Sequence, residues 1–264
     1  MEKLHIVKIG GNIIDNEESL KAFLKDFSNI SGNKILVHGG GKSASKLSLQ
    51  MGVTPKMIEG RRVTNAETLR IVTMMYAGWV SKSIVAQLQA YNINAIGVSG
   101  ADLNLIYAEL RPKEPIDFGY VGNIKSVNLS MLTLLLSASV TPVFCALTHD
   151  KEGNLLNTNA DTIAAELSIA TSKQYDVSLV YCFEKKGVLQ NPEDDESVIP
   201  LIDQDYYQLL KSNGIISAGM LPKMHNCFQA LEKGVKEVKI MNAANLKTLN
   251  TSQFIGSKLV LKSI

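Results

Sequence analysis

Two glycine-rich turns follow short apolar runs near the start of the chain, Lys8-Ile9-Gly10-Gly11-Asn12 and His38-Gly39-Gly40-Gly41-Lys42-Ser43. Glycine lets backbone N–H groups approach an anion closely, and a helix starting just after the turn adds partial positive charge. Two such turns at the ends of adjacent strands suit a phosphoryl group held between them. Taken singly, each reads more readily as plain turn geometry. Neither matches G-x-x-x-x-G-K-[ST] or G-x-G-x-x-G, so a P-loop or dinucleotide-binding fold is not indicated.

Three further groups carry polar side chains at suggestive places. Gly60-Arg61-Arg62-Val63-Thr64 sets two arginines just ahead of a candidate helix start. Asn157-Thr158-Asn159-Ala160-Asp161 precedes a helical stretch, and on spacing alone it reads as an Asx cap for that helix. Gly219-Met220-Leu221-Pro222-Lys223 sets a lysine near a helix start, where a lone lysine is usually solvated.

In order and spacing, these five motifs together resemble the amino acid kinase family over essentially the whole chain. The Gly-x-Arg-Val-Thr and Asn-x-Asn-Ala-Asp forms, with Gly119-Tyr120-Val121-Gly122 between them, look like its acetylglutamate kinase branch. The resemblance implies an α/β/α sandwich with a central, mostly parallel sheet. An N-terminal lobe, residues 1–172, would bind the acyl amino acid and carry the dimer contact, and a C-terminal lobe, residues 173–264, would bind ATP. The implied reaction is phosphorylation of the side-chain carboxylate of an N-acyl-L-glutamate by MgATP, for arginine biosynthesis. Acetyl is the family's default acyl group, with succinyl an alternative; glutamate 5-kinase and carbamate kinase are the neighbouring activities.

Carried over by position, Lys8 and Lys223 would stabilise the transition state and Asp161 would hold both ammonium groups. Gly10, Gly11, Gly40 and Gly41 would supply amides around the phosphoryl group and the substrate. Arg62 would take the substrate α-carboxylate, with Asn157 and Asn159 beside it. Glu184, Lys185 and Gly187 would neighbour ATP, although the run Phe183-Glu184-Lys185-Lys186-Gly187 departs from the family's usual Ser-Asp-Val-x-Gly turn. The acceptor carboxylate, with a pKa of about 4.3, is already ionised at neutral pH, so no general base is needed. His5, His38, His149 and His225 accordingly read as structural, and Mg²⁺ as carried by the phosphates rather than by a protein metal site.

Two rivals follow from the same residues. His38-Gly39-Gly40-Gly41 with Gly97-Val98-Ser99-Gly100-Ala101 is reminiscent of an esterase's oxyanion loop and nucleophile elbow, but it leaves Lys8, Arg62, Asp161 and Lys223 idle. A non-catalytic amino-acid sensor on the same fold is the other.

The elements that must position these groups are legible as βα units. Strands are predicted at 4–9, 34–37, 95–98, 141–146, 177–181 and 237–241, and a helix with Leu20, Phe23, Leu24, Phe27 and Ile30 on one face. Thr64 and Glu67 suggest a capping box opening a long, charge-poor helix to Tyr91, the segment 113–128 reads as hairpins or a lid, and 190–197 as a loop. A boundary between the two lobes is placed at 170–176. With 264 residues the chain is long enough for a large core, and a net charge of +2 with interspersed signs excludes the basic stripe of a nucleic-acid binder. Cys145, Cys182 and Cys227 show no metal or disulfide spacing. No signal or membrane-spanning run is evident, which points to the cytoplasm. The apolar Met74, Met75, Tyr76 and Trp79 suggest a homodimer interface; arginine-inhibited members of the resembling branch carry a helix ahead of the first strand, so the resemblance implies that this chain, whose first strand is predicted from about Leu4, is indifferent to arginine.

Overall fold

The computed structural model describes residues 1–58, 60–216 and 220–262. All six predicted strands fall in one eight-stranded sheet. Its order is Leu201–Ile202, Ser257–Leu259, Glu237–Asn242, Asp176–Phe183, Lys3–Ile9, Asn33–His38, Thr141–Cys145, Ala95–Val98. Neighbours run parallel except Ser257–Leu259 against Glu237–Asn242. Such a sheet must be covered on both faces, which is why its strands are apolar runs rather than alternating ones.

Period two divides the first strand between two cores: Val7 and Ile9 join one cluster, Leu4 and Ile6 the other. The first face is covered by the helices Glu17–Ser28 and Ser81–Ala90, the second by Leu129–Ser137, Ala160–Thr171 and Leu221–Glu232. This is a three-layer α/β/α sandwich. Lys8 shares the parity of Leu4 and Ile6, so its side chain is directed to the Ala160–Thr171 layer. Cys145, Cys182 and Cys227 are buried thiols within these cores. No helix among the described residues is long and apolar enough to cross a membrane.

The Glu17–Ser28 helix buries Leu20, Phe23, Leu24 and Phe27 as its periodicity requires, and Asn16 caps it by accepting the Ser19 amide at 2.8 Å. Ile30 departs from the prediction: the helix ends before it, and it reaches the same core from the following turn.

The long helix also differs at its start. Thr64 turns its hydroxyl to Arg62 O at 2.9 Å, and Asn65 provides the cap by accepting the Thr68 amide at 2.8 Å. The helix runs as Ala66–Thr73, a π-helical segment Met74–Val80, and Ser81–Ala90. The wider π turn breaks the 3.6-residue period and splits the expected apolar surface. Tyr76 goes inside, Met75 packs against the core, and Met74 and Trp79 face solvent.

A smaller sheet, in the order Leu155–Asn157, Leu147–His149, Ile106–Leu110, Gly122–Val127, flanks the large one. Its Ile106–Leu110 and Gly122–Val127 strands pair antiparallel, so the later residues of 113–128 form one arm of a hairpin. The short hairpin Lys56–Ile58 with Arg61–Val63 is hydrogen-bonded to this region through Thr64 N to Phe118 O and Tyr120 N to Thr64 O.

Phe27 is fully enclosed between its helix and the sheet. Phe27→Ala is expected to destabilise the protein by about 3–5 kcal/mol, the range for emptying a buried aromatic site. Urea unfolding with an unchanged m-value would measure it; a loss under about 1 kcal/mol would contradict this packing.

Candidate active site

The Lys3–Ile9 strand lies between Asn33–His38, reached directly after it, and Asp176–Phe183, reached much later. That reversal of winding direction opens a crevice at the carboxyl ends of these strands, the usual place for a ligand in an open α/β sheet. The two glycine turns leave the sheet there. Gly11 and Gly41 pack against each other so tightly that a Cβ on Gly11 would lie 2.7 Å from the Gly41 Cα. A Cβ on Gly40 would meet Tyr76 Cε1 at 1.9 Å, so the loop lies flat on a buried tyrosine ring.

These turns do not offer all the amides expected of them. The Gly10 N–H already donates to Cys182 O at 3.0 Å, extending the strand pairing by one rung. The Lys42 and Ser43 amides donate to the Asp15 carboxylate, at 2.7 and 3.1 Å. The amides of Gly11 and Gly41, which open the helices Gly11–Ile14 and Gly41–Gln50, have no acceptor among the described residues.

Lys8, Asp161 and Lys223 meet at this crevice. Lys8 Nζ lies 2.6 Å from Asp161 Oδ1, and Lys223 Nζ lies 4.0 Å from Oδ2. Burial alone works against ionising Asp161, but Lys8 and then Lys223 outweigh it and hold the carboxyl below its usual value. Burial depresses the Lys223 ammonium, attraction to Asp161 opposing and repulsion from Lys8 adding to it. Asn159 caps the Ala160–Thr171 helix, accepting the Asp161 and Thr162 amides at 2.8 and 3.2 Å. Its oxygen thus fixes where Asp161 stands.

On one side of these charges is a cavity of about 250 Å³ lined by Lys8, Gly40, Gly41, Arg62, Tyr76 and Asn157. Arg62 is buried, and its Nη2 donates to Ser45 Oγ at 2.8 Å while Nη1 has no hydrogen-bond partner among the described residues. An unpaired buried donor is costly, so this edge of the guanidinium is suited to an incoming anion. Asn157 donates to Thr64 Oγ1 at 2.9 Å, which ties it to the Arg62 hairpin. On the other side is an apolar cleft of about 360 Å³ with Val188, Leu189, Ile215, Ile216 and Ile240. A gap of about 390 Å³ shares Lys8, Gly11 and Gly41 with the first cavity and Phe183, Glu184 and Lys223 with the cleft. The three spaces form one track.

Glu184 and Lys185 line the cleft, but both are engaged: Glu184 Oε1 accepts from Asn12, and Lys185 pairs with Asp195 at 2.7 Å. Gly187 is there for packing, since a Cβ would fall 2.6 Å from Ser257 Oγ. His38 is fully buried with Nδ1 2.7 Å from Gly39 O, and burial pushes its pKa down to about 4, so the ring is neutral. Ser99 donates to Asp102 at 2.7 Å. Gly219 lies outside the described residues. Among the described residues, no group of three His, Cys, Asp or Glu side chains stands close enough to hold a metal ion.

Sequence reasoning missed Tyr76, Asp15, Asn12 and Ser45 as components of the site. Each acts on a partner distant in sequence or through a helix irregularity; Asn12 ends the first glycine motif, and the other three belong to no motif.

A profile described as the amino acid kinase family matches residues 3–242. A Cytophaga hutchinsonii protein named acetylglutamate kinase is 52% identical over 262 residues, covering 98% of this chain and 99% of its own. A Methanopyrus kandleri protein of the same name is 38% identical, covering 92% and 96%. Among solved structures, a Streptococcus mutans protein superimposes with a TM-score of 0.77 at 25% identity, covering 98% and 99%. Carbamate kinase from Giardia lamblia bound to AMP-PNP gives 0.69 at 15% identity, covering 99% of each chain, a likeness of fold alone.

Gly40→Ala must move either the loop or Tyr76, and a shift of about 1 Å at a reacting site costs on the order of 100-fold in kcat/KM. Gly39→Ala, with nothing within 4 Å of its Cβ, should lose far less. Equal losses in steady-state kinetics would refute the steric argument.

Proposed function

The chain belongs to the amino acid kinase family, and we propose from that premise that it transfers the γ-phosphoryl group of ATP to the side-chain carboxylate of N-acetyl-L-glutamate, in arginine biosynthesis. The curated relatives named acetylglutamate kinase support this reading over almost the full chain. The single observation that carries it in the geometry is the placing of Lys8, Asp161 and Lys223 between the Arg62 cavity and the apolar cleft.

In this reading residues 1–172 bind the acyl amino acid and residues 173–264 bind ATP. Arg62 Nη1 takes the α-carboxylate, with Asn157 and the Asn159 amide beside it. The side-chain carboxylate is directed past Lys8 into the gap. A carboxylate oxygen forms the new bond to the γ-phosphorus as the bond to the β,γ-bridging oxygen breaks, and ADP leaves. Phosphoryl transfer is mainly a problem of positioning and charge. The free Gly11 and Gly41 amides face the non-bridging oxygens, Lys8 lowers repulsion between the two anions, and Lys223 meets charge building on the leaving group. Asp161 keeps both ammonium groups in place. Glu184, Lys185 and Gly187 border the nucleotide. Mg²⁺ would be held by the ATP phosphates rather than by protein carboxylates and would supply further positive charge there. The need for ATP makes the cytoplasm the site of action.

An assay trapping the acyl phosphate, run with ATP and free glutamate, N-acetylglutamate, N-succinylglutamate or carbamate, tests the reading. N-acetylglutamate is expected to give the highest kcat/KM, and Lys8→Ala to lower kcat by roughly 100-fold. Preference for free glutamate or carbamate, or normal turnover in a folded Lys8→Ala protein, would overturn it.

We further propose a homodimer through the outer side of the long helix and the adjoining Ala95–Val98 edge strand. Trp79 is 72% exposed there, with Met74 and Ile96 also presented to solvent. Light scattering should give twice the chain mass for the native protein and a shift towards monomer for Trp79→Glu. A monomeric native protein would refute the dimer.

A further inference from the structure

Phe183 ends the Asp176–Phe183 strand where the cleft meets the gap, and it lines both. Strand pairing sets Tyr181 beside Lys8, and period two puts Phe183 on the same face one step further out. The two rings are stacked, with centroids 6.0 Å apart and planes 4° from parallel. The Tyr181 hydroxyl donates to Asp161 O at 3.1 Å, so the stack is anchored to the helix that bears the carboxylate. Lys223 Nζ lies 3.7 Å from the Phe183 ring centroid and Lys8 Nζ 5.2 Å from it.

Asp161 cannot by itself explain where Lys223 stands. One carboxylate faces two ammonium groups, Lys8 closes on it at 2.6 Å, and Lys223 stops at 4.0 Å, beyond hydrogen-bond reach. Lys8 repels Lys223, and solvent is open to a side chain that is 35% exposed. Among the described residues, the negative face of the Phe183 ring is the remaining attraction at the observed place. It differs from a second carboxylate in one respect that matters to the reaction: it holds the ammonium without cancelling its charge.

We propose, on the phosphoryl-transfer reading above, that Phe183 is a positioning residue whose ring face holds the Lys223 ammonium, fully charged, at the junction of the nucleotide cleft and the transfer gap. The ring touches the lysine rather than the reacting atoms. Its effect therefore belongs to the transition state, where charge on the leaving oxygen develops.

The test replaces Phe183 with phenylalanines of increasing ring fluorination, which weakens and finally reverses the ring's electrostatic face while nearly keeping its volume. The expected result is a graded fall in kcat, about tenfold by the pentafluoro ring, with both KM values within about twofold. The alkaline limb of the kcat–pH profile should move to lower pH along the series, because an electron-poor ring favours the neutral amine. Phe183→Tyr should retain activity, and Phe183→Leu should behave like the pentafluoro variant. A flat kcat across the series, or a loss confined to the KM for ATP, would overturn the proposal. A readout independent of turnover separates it from the functional reading: NMR of ¹³C-lysine protein should show a ring-current shift at the Lys223 ε-protons, lost in Phe183→Leu. No such shift in the native protein would sink the proposal even if the enzyme were active. A shifted lysine in a protein that phosphorylates none of the panel would sink the functional reading while leaving the contact established.

Discussion

A buried carboxylate is tolerated only when cations stand beside it, and Asp161 has Lys8 at 2.6 Å and Lys223 at 4.0 Å. Two positive charges against one negative leave the group with an excess of one, directed into the gap between the cavities. Much of the surrounding architecture follows from assembling these three side chains. Lys8 must be near the end of a central strand and of the parity that faces the Ala160–Thr171 helix. Asp161 must be in that helix's first turn, which Asn159 sets by capping it. Lys223 must come from the neighbouring Leu221–Glu232 helix, packed on the same face of the sheet.

The Arg62 cavity is built by a different kind of linkage. The Arg61–Val63 strand belongs to neither large sheet, and its position depends on Thr64 pairing with Phe118 and Tyr120, and on Tyr120 O accepting the Asn157 amide at 2.9 Å. Gly119 permits that close approach: its φ is +69°, and a Cβ there would fall 2.3 Å from Thr64 O. One strip of backbone hydrogen bonds thus joins segments that are far apart in the chain, and the guanidinium and the Asn157 amide arrive at the cavity together.

The strands were readable because a parallel sheet covered on both faces needs short, largely apolar runs, as in 34–37 and 177–181. The Glu17–Ser28 helix was readable because one face alone is buried. What escaped was set by competition among distant partners. Thr64 looked like a cap, yet its hydroxyl and amide are drawn to Arg62 O and Phe118 O, leaving the role to Asn65. Tyr76 looked like surface, yet the π-helical segment rotates it beneath Gly40. Gly10 looked like a phosphate ligand, yet strand pairing continues far enough to take its amide. The lysines, Asp161 and Arg62 were visible only through the joint order of five motifs, since no local spacing brings together residues as far apart as Lys8 and Lys223.

Asp15 gives the second glycine turn a property that motif reading does not reveal. Its carboxylate sits at the start of the Gly41–Gln50 helix, on the Lys42 and Ser43 amides, where a free anion would otherwise be drawn. The helix therefore carries its own counter-anion, and the loop's shape does not wait for a ligand. Ordering entropy is met once, in folding, so less of the binding free energy of an incoming phosphate goes into arranging its receptor. The same carboxylate makes the helix start a poor trap for stray inorganic anions, and the amides left without an acceptor among the described residues are those of Gly11 and Gly41.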